Sequence, residues 1–238
     1  MEHFTPDRTA AGRRYDRTLG KLLPSSRLLS VLFCLLLNSL VYWCTQSMVA
    51  GRQLLDFTTS IDQMIPFDPR WVFIYVACFL FWAVGYVLMA RLDRWYSIMT
   101  AEVLAKLICG IVFLLIPCTN VRPEIAGTGP AQWLLGLIYR LDPPLDLLPS
   151  IHCLESWICF RGILRQRSIP VWYQIFSFVF AILVCLSTLF TRQHVLADVI
   201  TGVALAEIML QISFRHGWGA HLRRWMEGLD HRLLGQYR

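Results

Sequence analysis

LPSIHCLESWICFRGIL, residues 148–164, is the stretch on which the architecture of this chain turns. Its helical part, Ile151–Leu164, is only about four turns long at roughly 3.6 residues per turn. It carries His152, Glu155 and Arg161, so hydropathy alone passes it over. Its surroundings are far more apolar. Leu28–Val49, Trp71–Ala90, Val171–Phe190 and Val195–Phe214 each approach the roughly 20 apolar residues that a bilayer-crossing helix needs. Ala101–Ile116 is a shorter fifth candidate; its Glu102 and Lys106 are spaced to pair along one helix face, with Lys106 also able to snorkel.

Charge decides the status of the weak segment. Arg8, Arg13, Arg14, Arg17, Lys21 and Arg27 precede the first span. Arg91 and Arg94 follow the second; Arg161, Arg165 and Arg167 close the weak segment; Arg215, Arg223, Arg224, Arg232 and Arg238 follow the last span. The other loops hold only Arg52, Arg70, Arg122, Arg140 and Arg192. The positive-inside rule then places both termini in the cytoplasm, which requires an even number of crossings. Ile151–Leu164 must therefore cross. The expected fold is an all-α polytopic membrane bundle of six transmembrane helices over residues 28–214. It is flanked by basic cytoplasmic tails at 1–27 and 215–238, and the loops Gly51–Arg70, Pro117–Ser150 and Thr191–His194 face outward.

Composition agrees. Hydrophobic residues make up 56% of the 238 and charged ones 16%, against about 45–50% and 25% in soluble domains. That excludes a disordered chain and a disulfide-stapled mini-domain. The net charge of +6 sits at span ends, with no interleaved basic and aromatic residues of a nucleic-acid surface. The first apolar run has no small-residue cleavage site after it and reads as a retained anchor. The eight cysteines show no Cys-x-x-Cys spacing and read mostly as small packing residues, with Cys118 and Cys153 near enough to one face to be a candidate pair. In the long outer loop, Ala131–Leu141 reads as a helix in the interface or packed on the bundle. The stretch His216–Arg238 reads as an amphipathic helix on the inner surface or a solvated tail.

Polar residues within such a chain are few, and two clusters stand out. In the first, Pro149 breaks the loop, Ser150 lies at a helix start and His152 follows. In the second, His194 and Asp198 are four apart and stack on one helix face. A carboxylate beneath an imidazole fixes its tautomer and makes the far nitrogen a better nucleophile or base. Arg192 precedes this pair, and the first turn of the helix offers N–H groups to an anion. A third, weaker element is Arg122-Pro123 outside the third span. His3, His216, His221 and His231 read as surface residues, and Glu207 reads as a helix-packing group. Two imidazoles, a carboxylate and two guanidiniums suit metal-free phosphoryl transfer, in which arginine forks clamp the phosphate. No cofactor and no metal ligand set is implied. A membrane carrier of b-type haem, with His152 and His194 as axial ligands, is the alternative from another class.

These residues resemble the type 2 phosphatidic acid phosphatase superfamily of membrane lipid-phosphate phosphatases and phosphotransferases, over roughly Ile65 to Gly202. Its Pro-Ser-Gly-His motif is matched by Pro149, Ser150 and His152, with Ile151 for glycine. Its Ser-Arg…His…Asp motif is matched by Ser187, His194 and Asp198, with Thr188 for arginine. Its Lys…Arg-Pro motif is matched only by Arg122 and Pro123, with Leu115 for lysine. These departures bring the chain nearest the branch resembling sphingomyelin and inositol phosphorylceramide synthases. The resemblance implies that His194 attacks phosphorus to give a phosphohistidine, Asp198 orients it and His152 protonates the leaving oxygen. Arg122, Arg192 and Ser150 would hold the phosphate. It implies a phospholipid or polyprenyl-phosphate substrate, at an outward-facing site in the plasma membrane. Release of phosphate to water and transfer of a phospho-headgroup to another lipid both remain open.

Overall fold

The computed structural model of the chain describes residues 9–235. The expectations placed on His3, Arg8 and Arg238 lie outside the described residues. The helices are α1 (Ala10–Arg17), α2 (Ser25–Val49), α3 (Ser60–Met64), α4 (Val72–Met89), α5 (Trp95–Leu115), α6 (Pro130–Leu141), α7 (Ile151–Ile163), α8 (Val171–Phe190), α9 (Leu196–His216) and α10 (Gly219–Leu234). Two short strands, β1 (Leu55–Asp56) and β2 (Cys118–Thr119), pair in parallel. Five helices, α2, α4 with the turn before it, α5, α8 and α9, are long and apolar enough to cross a membrane. With so apolar a composition, they mark an integral membrane protein.

The helix limits follow local chemistry. α8 starts after Pro170, and α9 stops at Gly217, whose φ of 64° is the left-handed conformation that glycine adopts without strain. α5 begins at Trp95, not at Ala101, because tertiary partners hold its first turns. Trp95 Nε1 donates to Ser30 Oγ at 3.0 Å and Tyr96 Oη to Ser26 Oγ at 3.0 Å, both serines on α2.

The weak segment is a helix, and it occupies the centre of the bundle against α4, α8 and α9. Glu155, Ser156 and Arg161 are tolerated because each finds a partner there. Trp82 Nε1 donates to Ser156 Oγ at 2.9 Å, and Tyr86 Oη to Glu155 Oε2 at 2.9 Å. Arg161 forms a two-pronged pair with Glu207 on α9, at 2.6 and 2.8 Å, and Trp157 Nε1 donates to the same carboxylate. Glu207 is thus an ion-pair partner, not only a packing group. At the other end of α7, Ser150 N–H donates to Asp198 C=O at 3.0 Å. α7 and α9 therefore run parallel. Gly202 permits this close approach, since a Cβ there would lie 2.5 Å from Ser150 O.

Lys106 does not snorkel. Its ammonium is 2.8 Å from Glu102 and 2.5 Å from Glu155, and all three side chains are buried. α5 reaches the bundle centre at this level, so the nearest counter-charges lie inward. Cys118 and Cys153 do not pair; both thiols are free and buried, Cys118 donating to Ile116 C=O and Cys153 lying against Thr188 Oγ1.

α6 packs on the bundle through Ala131 and Leu135, which meet Val72, while Trp133 and Leu141 stay exposed. α10 lies against α2 and α5, with Met226 fully buried and Trp225 edge-on to Phe33 at 5.0 Å. His216, His221 and His231 are exposed. Thr9 N–H donates to Leu234 C=O at 2.8 Å, so the first and last helices meet at one end. Around the bundle, Leu32, Leu36, Leu40, Leu80, Ile111, Ile175 and Ile208 face outward, the surface expected beside lipid.

Candidate active site

The cis Leu148–Pro149 bond leads into Ser150, which caps α7 by accepting from Cys153 N–H at 3.4 Å. Two residues on, His152 enters a bay of aromatic rings. Tyr75 lies 4.4 Å from it, Trp82 5.6 Å and Phe79 6.2 Å, centroid to centroid. No protein hydrogen bond holds the His152 ring among the described residues.

His194 comes from the turn between α8 and α9. Gln193 N–H and His194 N–H both donate to Thr188 C=O, at 2.9 and 3.1 Å, and Arg192 takes a φ of 52° to close the turn. The imidazole Nδ1 lies 3.2 Å from Asp198 Oδ2, which also accepts from Val195 N–H at 3.0 Å. An ionised carboxylate only accepts, so Nδ1 carries the proton and Nε2 keeps its lone pair. The His152 and His194 rings are 6.2 Å apart, and both line one cavity of about 390 Å³. Two residues far apart in sequence thus meet within reach of one small group.

The expected phosphate holders are placed differently. Ser150 is fully buried, its hydroxyl capping α7 and not lining the cavity. Arg192 is turned away: its two terminal nitrogens donate to Asp62 C=O and Ile65 C=O, each at 2.5 Å. It anchors the α3 segment against the α8–α9 turn, because those carbonyls sit beside it at the end of a short helix. Arg122 lies behind the cavity wall. It donates to Asp142 C=O at 2.6 Å and to Gln193 Oε1 at 2.6 Å, stacks on Tyr139 at 4.6 Å, and leaves Nε without a partner. Burial lowers its pKa below the ordinary guanidinium value, with nearby Asp142 opposing.

Two N–H groups at the start of α9 are already taken. Leu196 N–H donates to Asp62 Oδ1 at 2.7 Å, and Val195 N–H to Asp198. Burial by itself would raise the Asp62 pKa. Donors from Thr59 and Leu196, with Arg192 nearby, outweigh it and leave the carboxyl below its usual value.

Several cavity residues escaped sequence reasoning. Asn38 and Tyr42 come from α2, Tyr75, Val76 and Phe79 from α4, Asp142 and Asp146 from the loop before α7, and Gln193 from the α8–α9 turn. Tyr42 donates to Asp142 at 2.5 Å; Thr45 and Gln46 donate to Asp146. Burial, with Asp142 adding to it, pushes the Asp146 carboxyl up to about 6 against those hydrogen bonds. Only Gln193 carried a sequence signal, its place next to His194. Among the described residues, no lysine or arginine lines the cavity. Among the described residues, no three His, Cys, Asp or Glu side chains converge as a metal-binding group.

No family model, curated protein or solved structure matches the chain. The reading of the site therefore rests on its own geometry.

Proposed function

We propose that this protein is a membrane-embedded, metal-independent lipid-phosphate phosphatase of the type 2 phosphatidic acid phosphatase kind. One observation carries the reading: His152 and His194 face one cavity 6.2 Å apart, the second braced by Asp198. The His194 Nε2 lone pair attacks phosphorus, and the bond from phosphorus to the lipid oxygen breaks. His152, which takes up a proton as the anionic headgroup enters, gives it to that oxygen. Neutral His152 then takes a proton from water, whose oxygen displaces His194 and releases inorganic phosphate. Apolar walls from Tyr75, Val76, Phe79 and Leu141 suit a substrate with a hydrocarbon part.

The topology proposed with it is six spans with both termini cytoplasmic and the site outward in the plasma membrane. Two contacts support the even number of crossings. α7 runs parallel to α9, with α8 returning between them, and Thr9 meets Leu234.

A specific feature favours headgroup transfer as a second reading. Among the described residues, the cavity lining holds Asp142 and Asp146 and no basic side chain other than histidine. Such a wall repels a dianionic phosphomonoester more than a monoanionic phosphodiester.

The deciding experiment offers purified protein a panel of labelled phospholipids and polyprenyl phosphates, with and without a second lipid alcohol. Release of labelled inorganic phosphate supports hydrolysis, and a new labelled lipid supports transfer. Turnover undiminished in His194→Ala would overturn both.

A further inference from the structure

Gln193 is buried to 1% exposure, lines the cavity beside His194, and has an Nε2 with no partner. The orientation of its amide is dictated by chemistry. Arg122 has only donors, so the end facing it at 2.6 Å must be the oxygen. The NH₂ end must then point the other way. A buried donor left unmade is destabilising, and native structures usually supply its acceptor. The acceptor is not protein here, and the group sits next to the imidazole whose Nε2 is free.

We infer that Gln193 is a catalytic residue, whose Nε2 donates to a non-bridging phosphoryl oxygen of the substrate, with Arg122 as the positioning residue that holds the amide by its oxygen. This rests on the phosphoryl-transfer function proposed above and adds to it how the oxyanion is held. The position after Arg192 thus supplies the contact that Thr188, with its hydroxyl donating to Cys185 C=O at 2.8 Å, does not. A neutral amide polarised from behind by a guanidinium binds an oxyanion without placing a full charge in the cavity. Arg122→Met releases the Gln193 amide from its fixed orientation, so the same loss of affinity is expected from a residue that does not touch the ligand.

The test uses full-length protein in detergent and inorganic phosphate as the probe, its binding followed by phosphorus NMR and calorimetry. Gln193→Ala and the near-isosteric Gln193→Glu are compared with wild type, and thermal melting reports folding. A lost hydrogen bond to a charged group corresponds to about 10- to 100-fold in affinity. That weakening is expected in Gln193→Ala and Arg122→Met, and a greater one in Gln193→Glu, where a carboxylate oxygen replaces the donor. Gln193→Ala leaves Arg122 Nη2 without its acceptor and should melt lower, whereas Gln193→Glu keeps that acceptor and should melt near wild type or above. Equal phosphate affinity in wild type and both Gln193 variants overturns the inference and leaves the histidine mechanism standing. Wild type that neither binds phosphate nor turns over any lipid phosphate overturns both.

Discussion

Asp198 Oδ2 lies 3.2 Å from His194 Nδ1, with the carboxylate 1% exposed and its second oxygen without a partner. In the mechanism proposed above, this contact orients the attacking imidazole. Asp198→Asn keeps the size but offers an N–H where the imidazole needs an acceptor, and so favours the wrong tautomer. Turnover should fall by about 10²–10⁴, with an unchanged helical spectrum. A loss below threefold would mean that the carboxylate does not orient the ring.

Arg192 bridges two carbonyls of the α3 segment. Removing it should be felt as loosened structure before it is felt as chemistry. Arg192→Ala is expected to lower stability by about 1–3 kcal/mol and to speed amide hydrogen exchange at residues 59–65. Phosphate affinity should change far less than in Gln193→Ala. Loss of phosphate affinity without faster exchange would return Arg192 to the role of phosphate holder.

Lys106 stands between Glu102 and Glu155 inside the bundle. Lys106→Met leaves two carboxylates facing each other with no counter-charge. Breaking a buried pair in this way destabilises by about 3–5 kcal/mol, read as a lower melting temperature and poor yield in detergent. Adding Glu102→Gln should recover part of the loss by removing one of the like charges. A single variant as stable as wild type would show that the ammonium has no such role.

Asp146, at the cavity wall, is held up to about 6 chiefly by burial. A carboxyl raised in the folded state favours folding when protonated. Its contribution is complete below the unfolded value of 3.8 and is lost as pH rises through about 6. Stability should therefore decline across that window and level off above it. Asp146→Asn should flatten the decline and melt higher at neutral pH, by the equivalent of about 2–3 kcal/mol. An Asn variant with an unchanged pH–stability profile would count against the buried carboxyl.

The apolar runs were legible because a span is a local property: about 20 residues in a row either suit hydrocarbon or do not. Val171–Phe190 was read with its observed limits for that reason. That segment 151–163 forms a helix inside the bundle was not legible from its hydropathy, since its polar residues argue against burial until the partners of Glu155, Ser156 and Arg161 on α4, α5 and α9 are seen. The His194–Asp198 contact could be read because its spacing lies within one turn and the helix start that follows, whereas the approach of His152 from α7 is a tertiary contact.

Side-chain destinations could not be read in the same way. Arg192 has a guanidinium that fits a phosphate or a pair of carbonyls equally well, and the choice depends on Asp62 and Ile65, more than a hundred residues earlier. Lys106 was paired with Glu102 on its own helix, but Glu155 arrives from α7. Sequence by itself determined the apolar spans, the charge asymmetry and the identity of the two imidazoles, since hydropathy and helical spacing act over neighbouring residues. Only the tertiary structure decided which donors remain open to a ligand, because hydrogen bonds are short and directional, and whether one is taken depends on which distant backbone or side chain the packing brings within 3 Å or so.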